Sequence, residues 1–269
     1  MTLAARCMVL LTLLGAAACF GSTNPSAPLA AGGHHVLFVG NSLTYVNDLP
    51  STLAAIAESA GDTIRVQMDA EPNLALIDHL NGASQAVSHI KQGGWELVVL
   101  SQGPTPAGLC RDSLILWTKM FDLLIRPIGG RPALFMTWPT SSAPNAFDDV
   151  RISFQQAAAG VRGVFMPAGE AWRSALRADP GIALYGGDGF HPSPTGTFLA
   201  ALEIYERVTG KDARALPLTA FSDGRAFPLP EATVRMLHEA AHDANVRFAA
   251  DASDAPPVDT APKAAVGHC

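Results

Sequence analysis

The order of apolar runs along the chain constrains its fold more than any other feature. Five short runs are bounded by Gly, Pro or polar residues and have the length of buried strands; they cover residues 35–39, 63–68, 97–101, 133–138 and 163–166. Within these runs the apolar residues are largely continuous, which is typical of parallel strands that are covered on both faces.

Between the apolar runs lie stretches whose apolar residues recur at spacings of three and four, which predicts helices. They cover residues 49–60, 74–93 with a break near Gly82, 112–125, 147–159 and 195–208. Asp48 is a candidate N-cap for the first helix, with Pro50 in its first turn. Strands that alternate with helices pair in parallel through right-handed crossovers. We therefore predict a three-layer α/β/α sandwich with about five parallel strands, whose catalytic groups gather where strands end and helices begin.

The first 31 residues have the layout of a secretory signal followed by a linker. Arg6 supplies a positive charge, residues 8–14 are apolar, and small residues then lead to Cys19. The apolar run is too short for a membrane-spanning helix, so we predict export to the periplasm or the extracellular space. Two processing routes stay open: lipidation of Cys19 at a loosely matching lipoprotein site, or ordinary cleavage after Ala18 or near Ala30.

The rest of the chain predicts one α/β domain over residues 32–248, followed by a disordered tail over residues 249–269. The net charge of −6 and the lack of a basic run in the sequence argue against nucleic-acid binding. Contact with a membrane is expected only through a lipid anchor at Cys19. Cys110 and Cys269 lie outside the signal and would be able to pair in an oxidising compartment, although nothing in the sequence places them together.

A serine follows the first predicted strand directly, in the segment Gly40-Asn41-Ser42-Leu43. A serine at the carboxyl end of a strand can expose its hydroxyl, and a following helix directs backbone N–H groups at nearby negative charge. Gly40 would allow the tight turn that this requires. A serine hydroxyl needs a base to remove its proton, so a catalytic role for Ser42 requires a histidine elsewhere. The alternative is an ordinary turn, because Asn and Ser favour turns for their own hydrogen bonds.

The loop before the helix predicted over residues 195–208 contains Asp188 and His191 among several Gly and Pro residues. A separation of three residues allows one loop to hold the carboxylate against the imidazole. This contact would orient the ring and stabilise the imidazolium that forms when Ser42 loses its proton. The alternative is a helix-capping loop that leaves His191 on the surface.

Together, these two segments resemble the SGNH (GDSL-like) hydrolase superfamily. In that superfamily a first block after the first strand carries the serine, and a last block carries Asp and His three residues apart. The resemblance covers most of residues 35–209, including the order of strands and helices, and it is closest to the branch whose first block contains Gly-Asn-Ser. It implies a flavodoxin-like fold and a triad of Ser42, His191 and Asp188 that forms an acyl-enzyme without a metal or organic cofactor.

The expected oxyanion hole is where the sequence departs from this family. SGNH enzymes usually add a Gly from a second block and an Asn from a third block, and neither is plainly present. Asn73 stands in the second position and tolerates a left-handed backbone, although a surface-loop role explains it equally well. Gln102, after the third strand, resembles the Gln-Gly pair of some SGNH carbohydrate acetylesterases. We expect the oxyanion to contact the backbone of Ser42 and Asn73 and the carboxamide of Gln102, with a structural role at the strand end as the alternative for Gln102.

Two further residues are candidates for substrate binding. Asn41 precedes the serine in the first block, and Trp138 ends the fourth predicted strand. Trp138 would be able to form a wall of the site, but a large aromatic side chain at this position is equally consistent with the core.

A different enzyme class is suggested near the end of the chain by His238-Glu239-Ala240-Ala241-His242. His-Glu-x-x-His on a helix is the signature of zinc peptidases, which use two imidazoles as ligands and the Glu as a base. A third ligand would have to come from elsewhere, and the scaffold expected around such a helix is not this α/β domain. We therefore predict no metal site and a solvent-exposed helix face at this position.

The sequence thus predicts an esterase that hydrolyses a small acyl ester, with an acetyl group on a carbohydrate as one candidate substrate. The alternatives are the zinc hydrolase and a binding protein of SGNH fold that has lost part of its oxyanion hole. Resemblance in fold does not identify the substrate.

Overall fold

The computed structural model of the protein describes residues 32–105 and 108–248. The predicted signal and linker (1–31) and the predicted tail (249–269) lie outside these ranges. Five strands form the main sheet: β1 (His34–Gly40), β2 (Ile64–Ala70), β3 (Leu97–Leu100), β4 (Arg131–Phe135) and β5 (Val164–Met166). Their order is β2-β1-β3-β4-β5 and every pairing is parallel, which confirms the predicted sheet.

The middle strands are buried on both faces, which explains their continuous apolar runs. In β1 no side chain from Val36 to Val39 is more than 1% exposed, and Val98 to Leu100 of β3 are equally buried. A strand covered on one face only would alternate apolar and polar residues. The continuous apolar runs therefore indicate that helices cover both sides of the sheet.

The helices form the two outer layers of the sandwich. They are α1 (Ser42–Tyr45), α2 (Leu49–Ser59), α3 (Leu76–Leu80), α4 (Ala86–Gln92), α5 (Leu109–Ile125), α6 (Phe147–Gly160), α7 (Ala168–Ala178), α8 (Pro194–Thr209) and α9 (Glu231–Phe248). Helices α3, α4 and α6 pack against α5, whereas α8 packs against α2, α7 and α9. None of the described helices is both long and apolar enough to cross a membrane.

Most of the predicted helices are present, and two details of their ends are confirmed. Asp48 caps α2 by accepting a hydrogen bond from the Ser51 N–H at 3.1 Å, with Pro50 in the first turn. The helix predicted over residues 74–93 is divided into α3 and α4, and Gly82 lies in the break with a φ of 89°.

Helix α7 and the antiparallel pair of strands β6 (Ala220–Ser222) and β7 (Arg225–Phe227) were not predicted. The buried residues Ala168, Ala171, Trp172 and Ala175 of α7 recur at spacings of three and four, so the helical pattern is present in the sequence, although it consists mainly of small Ala residues. The two strands have three residues each, which is too short for an alternating pattern to be recognised.

Cys110 takes part in a disulfide bond. The other cysteines of the chain, Cys7, Cys19 and Cys269, lie outside the described residues. The possible pairing of Cys110 with Cys269 therefore stays a prediction.

The first turn of α8 is packed so closely that it generates a stability prediction. A Cβ atom on Gly196 would lie 2.3 Å from the Leu184 carbonyl oxygen and 2.4 Å from the Trp172 ring. Gly196→Ala is therefore expected to lower the free energy of unfolding by about 1–3 kcal/mol, although Ala normally favours a helix over Gly. Chemical denaturation would measure this change.

Gly187 offers the matched control, because a Cβ atom there would have no neighbour within 4 Å. Gly187→Ala should change the free energy of unfolding by no more than about 0.5 kcal/mol. An equal effect of the two substitutions, or a stabilising effect of Gly196→Ala, would contradict the described packing.

Candidate active site

The turn between β1 and α1 presents Ser42 at the carboxyl edge of the sheet. Asn41 is the N-cap of α1: its Oδ1 accepts a hydrogen bond from the Leu43 N–H at 3.1 Å. Its Nδ2 donates to the Leu74 carbonyl at 3.2 Å, which ties the turn to the loop after β2. Ser42 is 7% exposed, so it is largely enclosed but reaches the surface.

Gly40 is required in this turn for a reason other than the predicted one. Its φ is not positive, so it does not adopt a conformation reserved for Gly. A Cβ atom at this position would instead lie 2.4 Å from the Thr44 Oγ1. The constraint is the close approach of α1 to the end of β1.

The loop before α8 brings Asp188 and His191 to Ser42. The His191 Nε2 lies 2.9 Å from the Ser42 Oγ, and the His191 Nδ1 lies 2.5 Å from the Asp188 Oδ2. Because the carboxylate only accepts, Nδ1 carries the ring hydrogen and Nε2 is left to accept the serine proton. The three predicted triad residues therefore form one continuous hydrogen-bonded chain.

Asp188 is also held by the backbone of its own loop. Its Oδ1 accepts hydrogen bonds from the Phe190 and His191 N–H groups, each at 3.0 Å. The hydrogen bond from His191, followed by these two backbone donors, lowers the pKa of Asp188 to about 2. The carboxylate is therefore ionised throughout the neutral and mildly acidic range.

Trp138 supports this loop from the core. Its ring is 1% exposed and stacks on Trp172 with centroids 3.5 Å apart. Its Nε1 donates to the Phe190 carbonyl at 3.1 Å, next to His191. The prediction that Trp138 binds substrate is thus not supported, because the ring is enclosed in the core and touches the backbone of the loop.

Asn47 is a site residue that the sequence analysis did not identify. Its backbone is left-handed, with a φ of 57°, and its Nδ2 donates to the Pro192 carbonyl at 2.9 Å and to the Thr197 Oγ1 at 3.0 Å. It links the segment after α1 to the residue that follows His191. The only signal in the sequence is an Asn beside the Asp48 cap, which indicates a turn and no more.

A cavity of about 200 Å³ opens beside Ser42. It is lined by Asn41, Ser42, Asn73, Leu74, Ala75, Gly103 and Phe190. Asn41 is therefore placed where the prediction of substrate binding requires it. A larger cavity of about 310 Å³ lies between α7 and α9 and contains none of the triad residues. The smaller cavity is the candidate site, because Ser42, whose Oγ contacts the His191 Nε2, lines it.

Asn73 lies in this cavity with the left-handed backbone that was expected of it, at a φ of 60°. Within the described part of the chain, neither its N–H nor that of Ser42 donates a hydrogen bond. Two backbone donors that line the same cavity are suited to a developing oxyanion.

The carboxamide of Gln102 does not lie in the cavity. The side chain is completely buried: its Oε1 accepts from the Leu76 N–H at 3.4 Å, and its Nε2 donates to the Thr105 Oγ1 at 3.1 Å. The geometry therefore supports the structural alternative for Gln102 rather than contact with the oxyanion. Its neighbour Gly103 lines the cavity instead.

The two histidines of the zinc-peptidase pattern on α9 have different surroundings. His238 is 2% exposed and packs near the Phe198 ring, so the prediction of a solvent-exposed face is wrong for this residue. The His242 Nδ1 instead lies 3.0 Å from the Glu206 Oε1 and 3.3 Å from the Asp212 Oδ1. Glu239, the Glu of the zinc-peptidase pattern, lies 3.7 Å from Arg214 in an exposed ion pair.

Glu206, Asp212 and His242 are the one group within the described ranges whose ligand atoms are close enough to share a metal ion. Both carboxylates already have structural partners, because Glu206 accepts from the Ala213 N–H and Asp212 accepts from the Arg214 N–H and guanidinium. The cluster therefore caps the short 3₁₀ helix Ala213–Ala215. His238 is not part of it, so the two histidines of the alternative zinc-peptidase pattern do not converge on one site.

No protein-family model and no curated protein matches the chain, but solved structures do. A "putative SGNH hydrolase" from Slackia heliotrinireducens is 26% identical, with a TM-score of 0.51, and the match covers 65% of this chain and 98% of the other. A "putative GDSL-like lipase" from Parabacteroides merdae is 14% identical, with a TM-score of 0.51 and coverage of 66% and 96%. The chain belongs to the SGNH hydrolase superfamily.

The fold of this chain is also shared by a DUF4886 family protein from Bacteroides uniformis. That structure is 16% identical, with a TM-score of 0.62, and the match covers 80% of this chain and 95% of the other. The predicted superfamily and fold class are therefore confirmed, whereas the Gly-Asn-Ser branch stays a prediction.

The burial of His238 predicts how stability depends on pH. Desolvation lowers the pKa of His238 to about 4, from an ordinary value of 6.5. Between these values the unfolded chain binds a proton that the folded chain does not, so this residue makes stability fall as the pH drops. His238→Leu should therefore reduce the loss of unfolding free energy between pH 7 and pH 4 by an amount on the order of 2 kcal/mol.

Urea unfolding at a series of pH values would measure this difference. His34→Gln is the matched control, since it also removes a histidine, but from a partly exposed pair with Glu96 rather than from the core. A His238→Leu variant that loses as much stability on acidification as the unmodified protein would contradict the argument.

Proposed function

We propose that the protein is a serine esterase that hydrolyses a small acyl ester through an acyl-enzyme. The observation that carries this proposal is the hydrogen-bonded chain from the Ser42 Oγ through His191 to Asp188, at the mouth of a cavity. This arrangement provides a nucleophile, a base in reach of its proton, and a carboxylate that orients the base.

In the acylation step the Ser42 Oγ attacks the ester carbonyl carbon, and its proton passes to the His191 Nε2. The Asp188 carboxylate stabilises the imidazolium that forms. The carbonyl oxygen becomes an oxyanion, which the N–H groups of Ser42 and Asn73 would stabilise. When the tetrahedral intermediate collapses, the C–O bond to the alcohol breaks and His191 gives the proton to the leaving oxygen.

In the deacylation step a water molecule takes the place of the alcohol. His191 accepts a proton from the water as its oxygen attacks the acyl carbon, and the bond to the Ser42 Oγ then breaks. The same imidazolium returns the proton to Ser42, and the carboxylic acid leaves. The chain's own residues thus carry every proton transfer in the cycle.

The shape of the site supports a short acyl group and an extended alcohol. Leu74, Ala75 and Phe190 give the 200 Å³ cavity apolar walls, which suits a short acyl chain. The side chains of Asp188 and His191 are 52% and 34% exposed, so the leaving-group side of the triad is open to solvent. An acetyl group on a carbohydrate satisfies both features, and the predicted export signal would place the enzyme where such polymers occur.

The first test is hydrolysis of aryl esters with acyl chains of two to eight carbons. We expect turnover to be fastest with the shortest chains, because longer ones exceed the cavity. Ser42→Ala should lower kcat by at least about 10³-fold, since the nucleophile is removed. A chelator should have no effect.

Thermal unfolding of Ser42→Ala, expected to be close to that of the unmodified protein, controls for loss of structure. Chelator-sensitive hydrolysis that survives Ser42→Ala would overturn the proposal in favour of a metal hydrolase. A folded protein whose Ser42 is neither catalytic nor labelled by an aryl phosphonate would be a binding protein of SGNH fold.

A second prediction concerns Asp188. In Asp188→Asn the amide oxygen is still able to accept the two backbone hydrogen bonds that shape the loop, but the position no longer carries the negative charge that selects the tautomer of His191. We expect kcat to fall by roughly 10³–10⁴-fold with the loop retained. Steady-state kinetics at pH 7.5, with circular dichroism as the control for folding, measure this effect. A loss of less than about tenfold would show that Asp188 does not serve the triad.

A further inference from the structure

His79 is a buried polar residue that the proposed triad does not use. It lies in α3, is completely buried, and has a hydrogen-bond partner at each ring nitrogen. The Nε2 lies 2.9 Å from the Gly40 carbonyl oxygen, and the Nδ1 lies 2.7 Å from the Ser84 Oγ. A buried imidazole with both nitrogens engaged is tightly constrained in position and orientation.

These contacts determine which nitrogen carries the hydrogen. The Gly40 carbonyl is able only to accept, so the His79 Nε2 donates to it. In the neutral ring the Nδ1 must then accept from the Ser84 hydroxyl, whose oxygen in turn accepts from the Ala86 N–H at 3.1 Å. Burial lowers the pKa of His79 and thereby favours this neutral form. The hydrogen bonds run in one direction, from α4 through His79 to the end of β1.

The carbonyl that receives this hydrogen bond belongs to the turn that presents the nucleophile. Gly40 lies two residues before Ser42, and its carbonyl also accepts a longer hydrogen bond, 3.3 Å, from the Glu71 N–H. The next residue, Asn41, donates to the Leu74 carbonyl. The nucleophile turn is therefore attached to the segment 71–79 at several points, of which His79 supplies the most deeply buried one.

The same segment contains Asn73, whose N–H is the second candidate donor to the oxyanion. The nucleophile and this donor lie on separate elements, β1–α1 and the loop after β2, so their separation depends on the contacts between those elements. Displacement of reacting groups by about 1 Å is able to reduce a rate by about 10²-fold.

We propose that His79 is a positioning residue, which holds the Gly40 carbonyl and thereby fixes Ser42 relative to the backbone N–H of Asn73. This inference rests on the serine esterase function proposed above. His79 itself touches no reacting atom. Its loss should therefore lower kcat while KM changes little, because the arrangement of the transition state is affected more than the binding of the ester.

The test compares His79→Leu with His79→Gln in the full chain. Leu removes the hydrogen bond to Gly40 with little change in volume, whereas the Gln carboxamide is able to place an N–H near the position of the His79 Nε2. We expect His79→Leu to lower kcat by about 10–100-fold with KM within about threefold, and His79→Gln to recover most of the loss.

His238→Leu is the matched control, since it removes an equally buried imidazole in α9 that has no described contact with the nucleophile turn. It should leave kcat unchanged even where it alters stability. Equal changes in kcat for the two Leu variants, or a kcat for His79→Leu equal to that of the unmodified protein, would overturn the positioning role.

The rate at which an aryl phosphonate labels Ser42 separates this inference from the proposed function. Failure to label the folded, unmodified protein would count against the serine mechanism itself. Labelling of the unmodified protein and of folded His79→Leu at the same rate would overturn only the role of His79.

Should His79→Leu fail to fold, Ser84→Ala decides the question. It removes the donor to the Nδ1 but leaves the ring and Gly40 in place. One lost hydrogen bond should lower kcat by about 2–10-fold, and this result would support the positioning role of His79. An unchanged kcat would overturn that role.

Discussion

The proposed activity depends on the hydrogen bond between Ser42 and His191. This bond joins residues 149 positions apart in the chain, and neither residue has its proposed function without the other. The parallel sheet makes this contact possible, because the turn after β1 and the loop before α8 both reach its carboxyl edge. The topology of the sheet thus brings Ser42, His191 and Asp188 together.

The positions of Ser42 and His191 depend on side chains that hold the surrounding turns and loops, and not only on the contacts among Ser42, His191 and Asp188. Trp138, stacked on Trp172, donates to the backbone beside His191, and Asn47 holds the residue that follows. Asn41 and His79 attach the nucleophile turn to the loop after β2. These contacts lie in or next to the core, where a displaced side chain has little space to move into.

The fold was predictable because burial on both faces leaves a direct trace in the sequence. The runs around Val36–Val39 and Val98–Leu100 are apolar without interruption, and Gly82 marked the break between α3 and α4. The proximity of Ser42, His191 and Asp188 was predictable because their two segments together resemble the first and last blocks of the SGNH superfamily, whereas neither segment alone would have indicated it. Helix α7 was missed although Ala168, Ala171, Trp172 and Ala175 have helical spacing, because that face consists mainly of small Ala residues rather than large apolar ones.

The supporting contacts of the site were not predictable, because the direction of a side chain depends on distant neighbours. Gln102 was expected at the oxyanion, but it turns inward to Leu76 and Thr105, residues whose proximity no local pattern reveals. Trp138 was a candidate for the substrate wall and lies in the core instead. No sequence motif indicates a role for Asn47 or His79, because each contacts a backbone carbonyl that is distant in the sequence.

We propose Ser42 as the nucleophile of a triad with two backbone donors beside it. The most direct measurement is a crystal structure of the protein after reaction with an aryl phosphonate. We expect a phosphonyl group bonded to the Ser42 Oγ, with one phosphonyl oxygen within hydrogen-bonding distance of the N–H groups of Ser42 and Asn73. A phosphonyl group on another residue, or a folded protein in which Ser42 stays unmodified, would contradict this proposal.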